Sequence, residues 1–89
     1  MNISEIIVPD RVAIDVPLSS KKAALEKLAE MWAAVDPRLV PQQVFDSLLA
    51  RERLGTTGLG AGIAIPHGRV ATDAASIGVF LRTASPIDF

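Results

Sequence analysis

Cysteine is absent from this 89-residue chain, and histidine occurs only once. The first absence removes disulfides and thiolate chemistry. Together they leave a metal site only scattered carboxylates beside one imidazole, a poor ligand set. No run of lysine or arginine occurs, and nine basic residues against ten acidic ones give a net charge of −1. That balance argues against a nucleic-acid groove. Long apolar runs are missing too, and none approaches the ~18 residues of a membrane span. The N-terminal stretch Met1 to Val8 has neither the basic start nor the apolar length of a signal peptide. These absences predict a soluble cytoplasmic protein with no membrane insertion and no nucleic-acid partner.

What is present is enough to fold. Hydrophobic residues make up 49% of the chain and charged ones 21%, which places it outside the disordered class. Its length allows one domain, residues 1–89, with a modest core. Residues 2–8 read as a short helical turn, capped by Asn2 or Ser4 and closed by Pro9. Val12, Ile14 and Val16 alternate with Arg11, Ala13 and Asp15, the period of a half-buried strand. Pro17 and the serines at 19 and 20 open a helix with a serine cap. Leu25, Leu28, Ala29 and Trp32 share one face of it, while Lys21, Lys22, Lys27 and Glu30 face water. Asp36-Pro37 ends it.

A second helix starts near Pro41, carries Val44, Phe45, Leu48 and Leu49 as its apolar stripe, and stops at Gly55. A short buried strand is expected at Ile63 to Ile65 and another from Ser76 to Thr83. The alternation of strands and helices predicts an α/β fold. The chain then stops at Pro86-Ile87-Asp88-Phe89, directly after a strand and on large apolar side chains. Complete domains usually end in exposed polar residues, so the expectation is a fold cut in mid-course. Strands stripped of their cover would then self-associate through exposed edges, or the tail after residue 83 would lose order.

One segment stands apart. Residues 51–68 read R-E-R-L-G-T-T-G-L-G-A-G-I-A-I-P-H-G and hold five of the six glycines and the lone histidine, His67. An imidazole titrates near ~6.5, so at neutral pH it is largely unprotonated and nucleophilic. Pro66 stiffens the approach to it, and Gly68 permits a sharp turn and close contact. Taken alone, His67 reads first as an ordinary surface or core histidine. The glycine-rich stretch strengthens the functional reading, because successive backbone N–H groups can form a concavity for anions. Thr56 and Thr57 add hydroxyl donors beside Gly58. A phosphoryl group suits such a pocket, since its transfer depends mainly on positioning and charge stabilisation. Arg51 could pair with a phosphoryl oxygen through two hydrogen bonds, although a cation at a helix C-terminus also needs no further explanation. The familiar nucleotide motifs do not fit. Gly58, Gly60 and Gly62 follow a helix and precede a strand, the reverse of the dinucleotide order, and no Gly-Lys-Ser/Thr completes a P-loop.

The pattern R-E-x-x-G-T-T-G-x-G-x-G-I-A-I-P-H-G resembles the active-site signature of the fructose/mannitol-type IIA proteins of the bacterial phosphotransferase system. The stretches Ser19-Ser20-Lys21-Lys22-Ala23-Ala24-Leu25 and Thr83-Ala84-Ser85-Pro86-Ile87-Asp88-Phe89 look most like its nitrogen-related branch. The resemblance implies a mixed β-sheet flanked by helices, with the chain forming the N-terminal portion of a IIA-type domain of about 150 residues. It implies that His67 accepts a phosphoryl group from an HPr-like carrier, with Arg51 supporting the phosphohistidine and the Thr57-Gly58 stretch lining the pocket. Neither a metal nor an organic cofactor is implied. Downstream, the group passes to a IIB domain in sugar transport, or phosphorylation regulates a protein target in the nitrogen branch. Ala61 stands where the family often has a polar or acidic residue. A second histidine found in the later half of some relatives has no counterpart here. The competing reading is a non-catalytic module that binds a regulatory protein through residues 55–68.

Overall fold

Two helices form the frame, and each begins where the sequence marks it. The computed structural model describes residues 11–60, 62–68 and 79–89. The turn expected at residues 2–8 and the first part of the strand expected from Ser76 lie outside the described residues. Strand β1 (Val12–Val16) leads into helix α1 (Lys21–Val35). Ser20 is extended, and its Oγ accepts the Ala23 N–H at 3.1 Å, satisfying one of the free amides of the first turn. The helix ends at Asp36, whose N–H donates to the Trp32 carbonyl at 3.2 Å. The buried Asp36 carboxylate then accepts the Arg38 main-chain N–H and two guanidinium N–H groups, each at 3.0 Å. That clasp closes the short connection to helix α2 (Pro41–Leu54), where Pro41 fills a first-turn position that has no hydrogen bond to lose.

The core lies between the two helices. Leu25, Leu28 and Ala29 of α1 meet Val44 and Leu48 of α2, and Leu25 has no exposed surface at all. Trp32, Phe45, Leu49, Val79, Leu81 and Phe89 pack around this cluster. The apolar stripes expected of both helices are therefore the buried ones. Lys21 departs from expectation: it turns from water towards a carboxylate on α2.

Strands β2 (Gly58–Gly60) and β3 (Ile63–Ala64) form an antiparallel hairpin, and strand β4 (Phe80–Thr83) pairs in parallel with β1. Parallel pairing needs a long crossover, supplied here by both helices and the hairpin. The described strands thus combine parallel and antiparallel pairing beside helices, the mixed α/β class expected. Two details differ. Val12 and Ile14 are exposed, and the half-buried positions of β1 are Ala13 and Val16. The register breaks between these two, opposite Leu81 and Thr83, so an extra residue bulges out. Asp15 takes the strain with φ 55°, a conformation that Asp tolerates better than a branched residue. The second difference is that Ile63 and Ile65 are both 58% exposed, so the strand expected to be buried is a surface hairpin arm.

The tail beyond β4 packs back on the fold. The Ala84 N–H donates to the Val16 carbonyl at 2.8 Å, and the Phe89 ring lies 4.7 Å from Lys21 Nζ. Among the described residues, no helix is long and apolar enough to cross a membrane.

Helix packing being the main source of stability, Leu25→Ala is expected to cost about 2–5 kcal/mol. Ile14→Ala, at a position 55% exposed, should stay within about 1 kcal/mol. Urea unfolding followed by Trp32 fluorescence checks both, and comparable losses at the two sites would contradict this placement of the core.

Candidate functional site

Val44 and Leu48 are four residues apart on α2, and Glu52 continues the same row inward. Its carboxylate is buried, with only 7% of the residue exposed. Both oxygens accept the Thr57 N–H, at 2.8 and 2.9 Å, and the Thr57 hydroxyl donates to Oε1. Lys21 Nζ of α1 approaches Oε2 at 3.5 Å. Burial by itself would push this carboxyl group up. The Thr57 hydroxyl, the Thr57 amide and Lys21 together outweigh it and hold the group below the usual carboxylate range. In the sequence Glu52 is the one acid among the three arginines of residues 51–69. The signal of its burial is its spacing from Val44 and Leu48.

From Thr57 the chain enters the hairpin. The Thr57 carbonyl accepts the Ile65 N–H at 3.0 Å, Gly58 pairs with Ala64, and Gly60 with Ile63. Gly60 and Gly62 flank the reversal with φ 79° and 78°, which side-chain-bearing residues rarely adopt. Pro66 then delivers His67, which is exposed, with Nδ1 3.0 Å from the Ile65 carbonyl oxygen. A carbonyl oxygen only accepts, so in the neutral ring the proton sits on Nδ1 and Nε2 keeps its lone pair.

Gly68 brings this strand against α2. A Cβ at position 68 would lie 3.0 Å from the Ser47 backbone carbon and 3.1 Å from its Cβ. Ser47 and Arg51 are four residues apart and so share a helix face. Arg51 in turn donates from Nη1 to the Gly55 carbonyl at 2.8 Å. Gly68, the neighbour of His67, therefore lies against Ser47, one helical turn before Arg51. Thr56 is exposed at the same place.

Within the glycine-rich stretch 55–62, three amides between Gly55 and Gly58 are engaged inside the protein. The Gly55 N–H donates to the Glu52 carbonyl at 3.1 Å, the Thr57 N–H to the Glu52 carboxylate, and the Gly58 N–H to Thr56 Oγ1 at 3.0 Å. Thr57 itself is buried at 6% exposure, its hydroxyl directed at Glu52 and away from solvent. The buried carboxylate is the physical reason, because it draws the Thr57 donors inward. The Thr56 hydroxyl, on an exposed residue, can donate while its oxygen accepts from Gly58.

A chain with this histidine-bearing hairpin beside an arginine-ended helix matches one protein family along nearly its whole length. The family described as "Phosphoenolpyruvate-dependent sugar phosphotransferase system, EIIA 2" matches residues 5–89, and the chain belongs to it. The chain is 46% identical over 88 residues to a nitrogen regulatory protein of Pseudomonas putida, covering 99% of each. It is 40% identical over 89 residues to the nitrogen regulatory protein of Pseudomonas aeruginosa, of which it spans 58%. The fold matches the crystal structure of nitrogen regulatory protein IIA-Ntr from Neisseria meningitidis with a TM-score of 0.88 at 40% identity. That match covers 96% of this chain and 57% of that one. The chain thus spans little more than half the length of the Pseudomonas aeruginosa and Neisseria relatives.

Two outcomes test the site as built. The Glu52 carboxyl is lower in the folded state than in the unfolded one. Its contribution to stability is therefore complete above the unfolded value of ~4.3 and is lost as pH falls through the folded value. Urea titrations should show Glu52→Gln less stable by about 1–3 kcal/mol near neutrality, with the gap narrowing in acid. A gap that widens in acid would contradict the assignment. Gly68→Ala should cost about 1–3 kcal/mol, because helix backbone cannot yield to the new methyl group. A neutral Gly68→Ala would show that the contact with Ser47 is loose.

Proposed function

We propose that the chain is a phosphocarrier component with a regulatory role, in which His67 reversibly accepts a phosphoryl group from an HPr-like protein. The observation that carries this reading is the bond from His67 Nδ1–H to the Ile65 carbonyl, which leaves Nε2 as the nucleophile on an exposed ring. In the transfer, the Nε2 lone pair attacks phosphorus in line and a new N–P bond forms. The N–P bond of the donor's protonated phosphohistidine breaks, and that imidazole leaves neutral with the electron pair. The positive charge then rests on the His67 ring, where the Ile65 carbonyl stabilises the Nδ1–H. Arg51 and the Thr56 hydroxyl supply donors for the phosphoryl oxygens, the charge stabilisation on which such transfer depends. Thr57, Gly58 and Gly68 contribute by shaping the backbone around the ring. Membership of the phosphotransferase family and the nitrogen regulatory proteins among its relatives support both halves of the proposal.

The surroundings favour a protein as donor. Leu54, Leu59, Ile63 and Ile65 are exposed by 85%, 66%, 58% and 58% in and beside the hairpin. An apolar rim of this kind suits a macromolecular partner better than a small phosphorylated metabolite. The same rim supports a second reading, docking of a regulatory protein target through residues 55–68 without phosphoryl transfer.

Incubation with a charged HPr-like carrier is expected to place acid-labile, base-stable label on the chain, and His67→Ala should take none. Arg51→Lys should slow labelling roughly tenfold, since an ammonium cannot form the paired bonds of a guanidinium. Equal labelling of His67→Ala would end the transfer reading. A partner pull-down indifferent to both His67→Ala and His67→Asp would favour the docking one.

A further inference from the structure

We infer that Glu52 is a positioning residue for His67, holding the tautomer and orientation of the ring through the backbone of Thr57 and Ile65. The inference rests on the proposed acceptor role of His67 and adds a residue that never touches the ring. The connection is a continuous series of hydrogen bonds. The Glu52 carboxylate takes the Thr57 N–H and hydroxyl, the Thr57 carbonyl takes the Ile65 N–H, and the Ile65 carbonyl takes the His67 Nδ1–H. Each acceptor belongs to a residue whose own N–H is fixed by the preceding link. Displacing Thr57 therefore displaces the peptide that sets the ring.

The chemistry calls for a carboxylate at position 52. Thr57 presents two donors to the same buried point, and only a group that accepts throughout can satisfy both while also facing the Lys21 ammonium at 3.5 Å. A glutamine has one acceptor oxygen, and its amide donors would confront either Thr57 or the lysine. Water is a poor substitute at a site where Thr57 and Glu52 are 6% and 7% exposed. Lys21 is held in turn against the Phe89 ring, so the charge partner of the carboxylate is itself fixed in place.

A purely structural role for Glu52 would lower stability and leave the ring of folded protein unchanged. The discriminating readout is the tautomer of His67, obtained from long-range proton–nitrogen correlations of the labelled chain. With one histidine in the sequence, that spectrum contains one ring. The wild-type ring is expected to be protonated at Nδ1. In Glu52→Gln and Thr57→Val, the two ring-nitrogen shifts should move towards each other as the tautomers mix. Phosphoryl transfer from a charged carrier should fall about tenfold or more, as expected when a reacting group loses its alignment. Thr57→Ser keeps the hydroxyl and should retain wild-type shifts and rate. Folded variants with wild-type ring shifts would overturn the inference. Amide exchange in the wild-type chain gives a test that needs no variant: the Thr57 and Ile65 N–H groups should be protected, and open-loop exchange at either would overturn it equally. Ring shifts that respond to Glu52→Gln in a chain that never takes label would sink the transfer reading and leave the positioning role standing. Label with indifferent shifts and rate would do the reverse.

Discussion

A carboxylate buried at the end of a helix is costly unless its surroundings replace the water it has lost, and this fold is arranged around meeting that demand at Glu52. The replacements come from separate parts of the chain. Lys21 arrives from the first turn of α1, both donors of Thr57 arrive from the connection beyond α2, and Phe89 steadies the lysine from the far end. One anionic group thereby adds polar ties between segments that the apolar core already packs together. Removing either partner would strand the other in a dry site, which is why such clusters fix geometry more firmly than they add stability.

The surface site follows from that internal one. With Thr57 drawn inward, the chain must reverse through Gly60 and Gly62, and β3 returns along β2 to place Ile65 opposite Thr57. Pro66 and His67 emerge at the rim, and Gly68 lets the strand press against Ser47 of α2. Charge at the site then comes from Arg51, one helical turn beyond Ser47. The N–H groups of Gly55, Thr57 and Gly58 are occupied in maintaining the turn, so side chains such as Arg51 carry a larger share of the proposed stabilisation of a phosphoryl group. This division gives the glycine-rich stretch a mechanical function, as the hinge and clearance of a hairpin whose end carries the histidine.

Local chemistry made the helices legible in advance. Ser20 as a cap, Pro41 in a first turn and the rows Leu25-Leu28-Ala29 and Val44-Leu48 each depend on neighbours within a few residues. The sheet was less legible because its pattern is broken. Val12 and Ile14 alternate as a buried face should, yet Ala13 takes the half-buried position and the bulge at Asp15 brings Val16, three residues on, to a half-buried position as well. Glycines disguised β2 as loop, since they lack the side chains by which strands are recognised. At the site, the motif picks out Arg51, His67 and Gly68, and in the fold Gly68 lies against Ser47, one helical turn before Arg51. Glu52 was hidden by company. Flanked by Arg51 and Arg53, it looks like part of a solvated helix end, and only the return of Thr57 across it makes it interior. Burial of that kind is a property of chain closure, which no window of adjacent residues contains.

The proposed transfer turns on which ring nitrogen of His67 is free to react. Phosphorylated protein carrying labelled histidine can be examined for coupling between phosphorus and each ring nitrogen. Phosphorus bonded to Nε2, with a proton retained on Nδ1, is the predicted result. Phosphorus on Nδ1 would mean that the Ile65 carbonyl does not hold that nitrogen, and would contradict the geometry from which the mechanism is built.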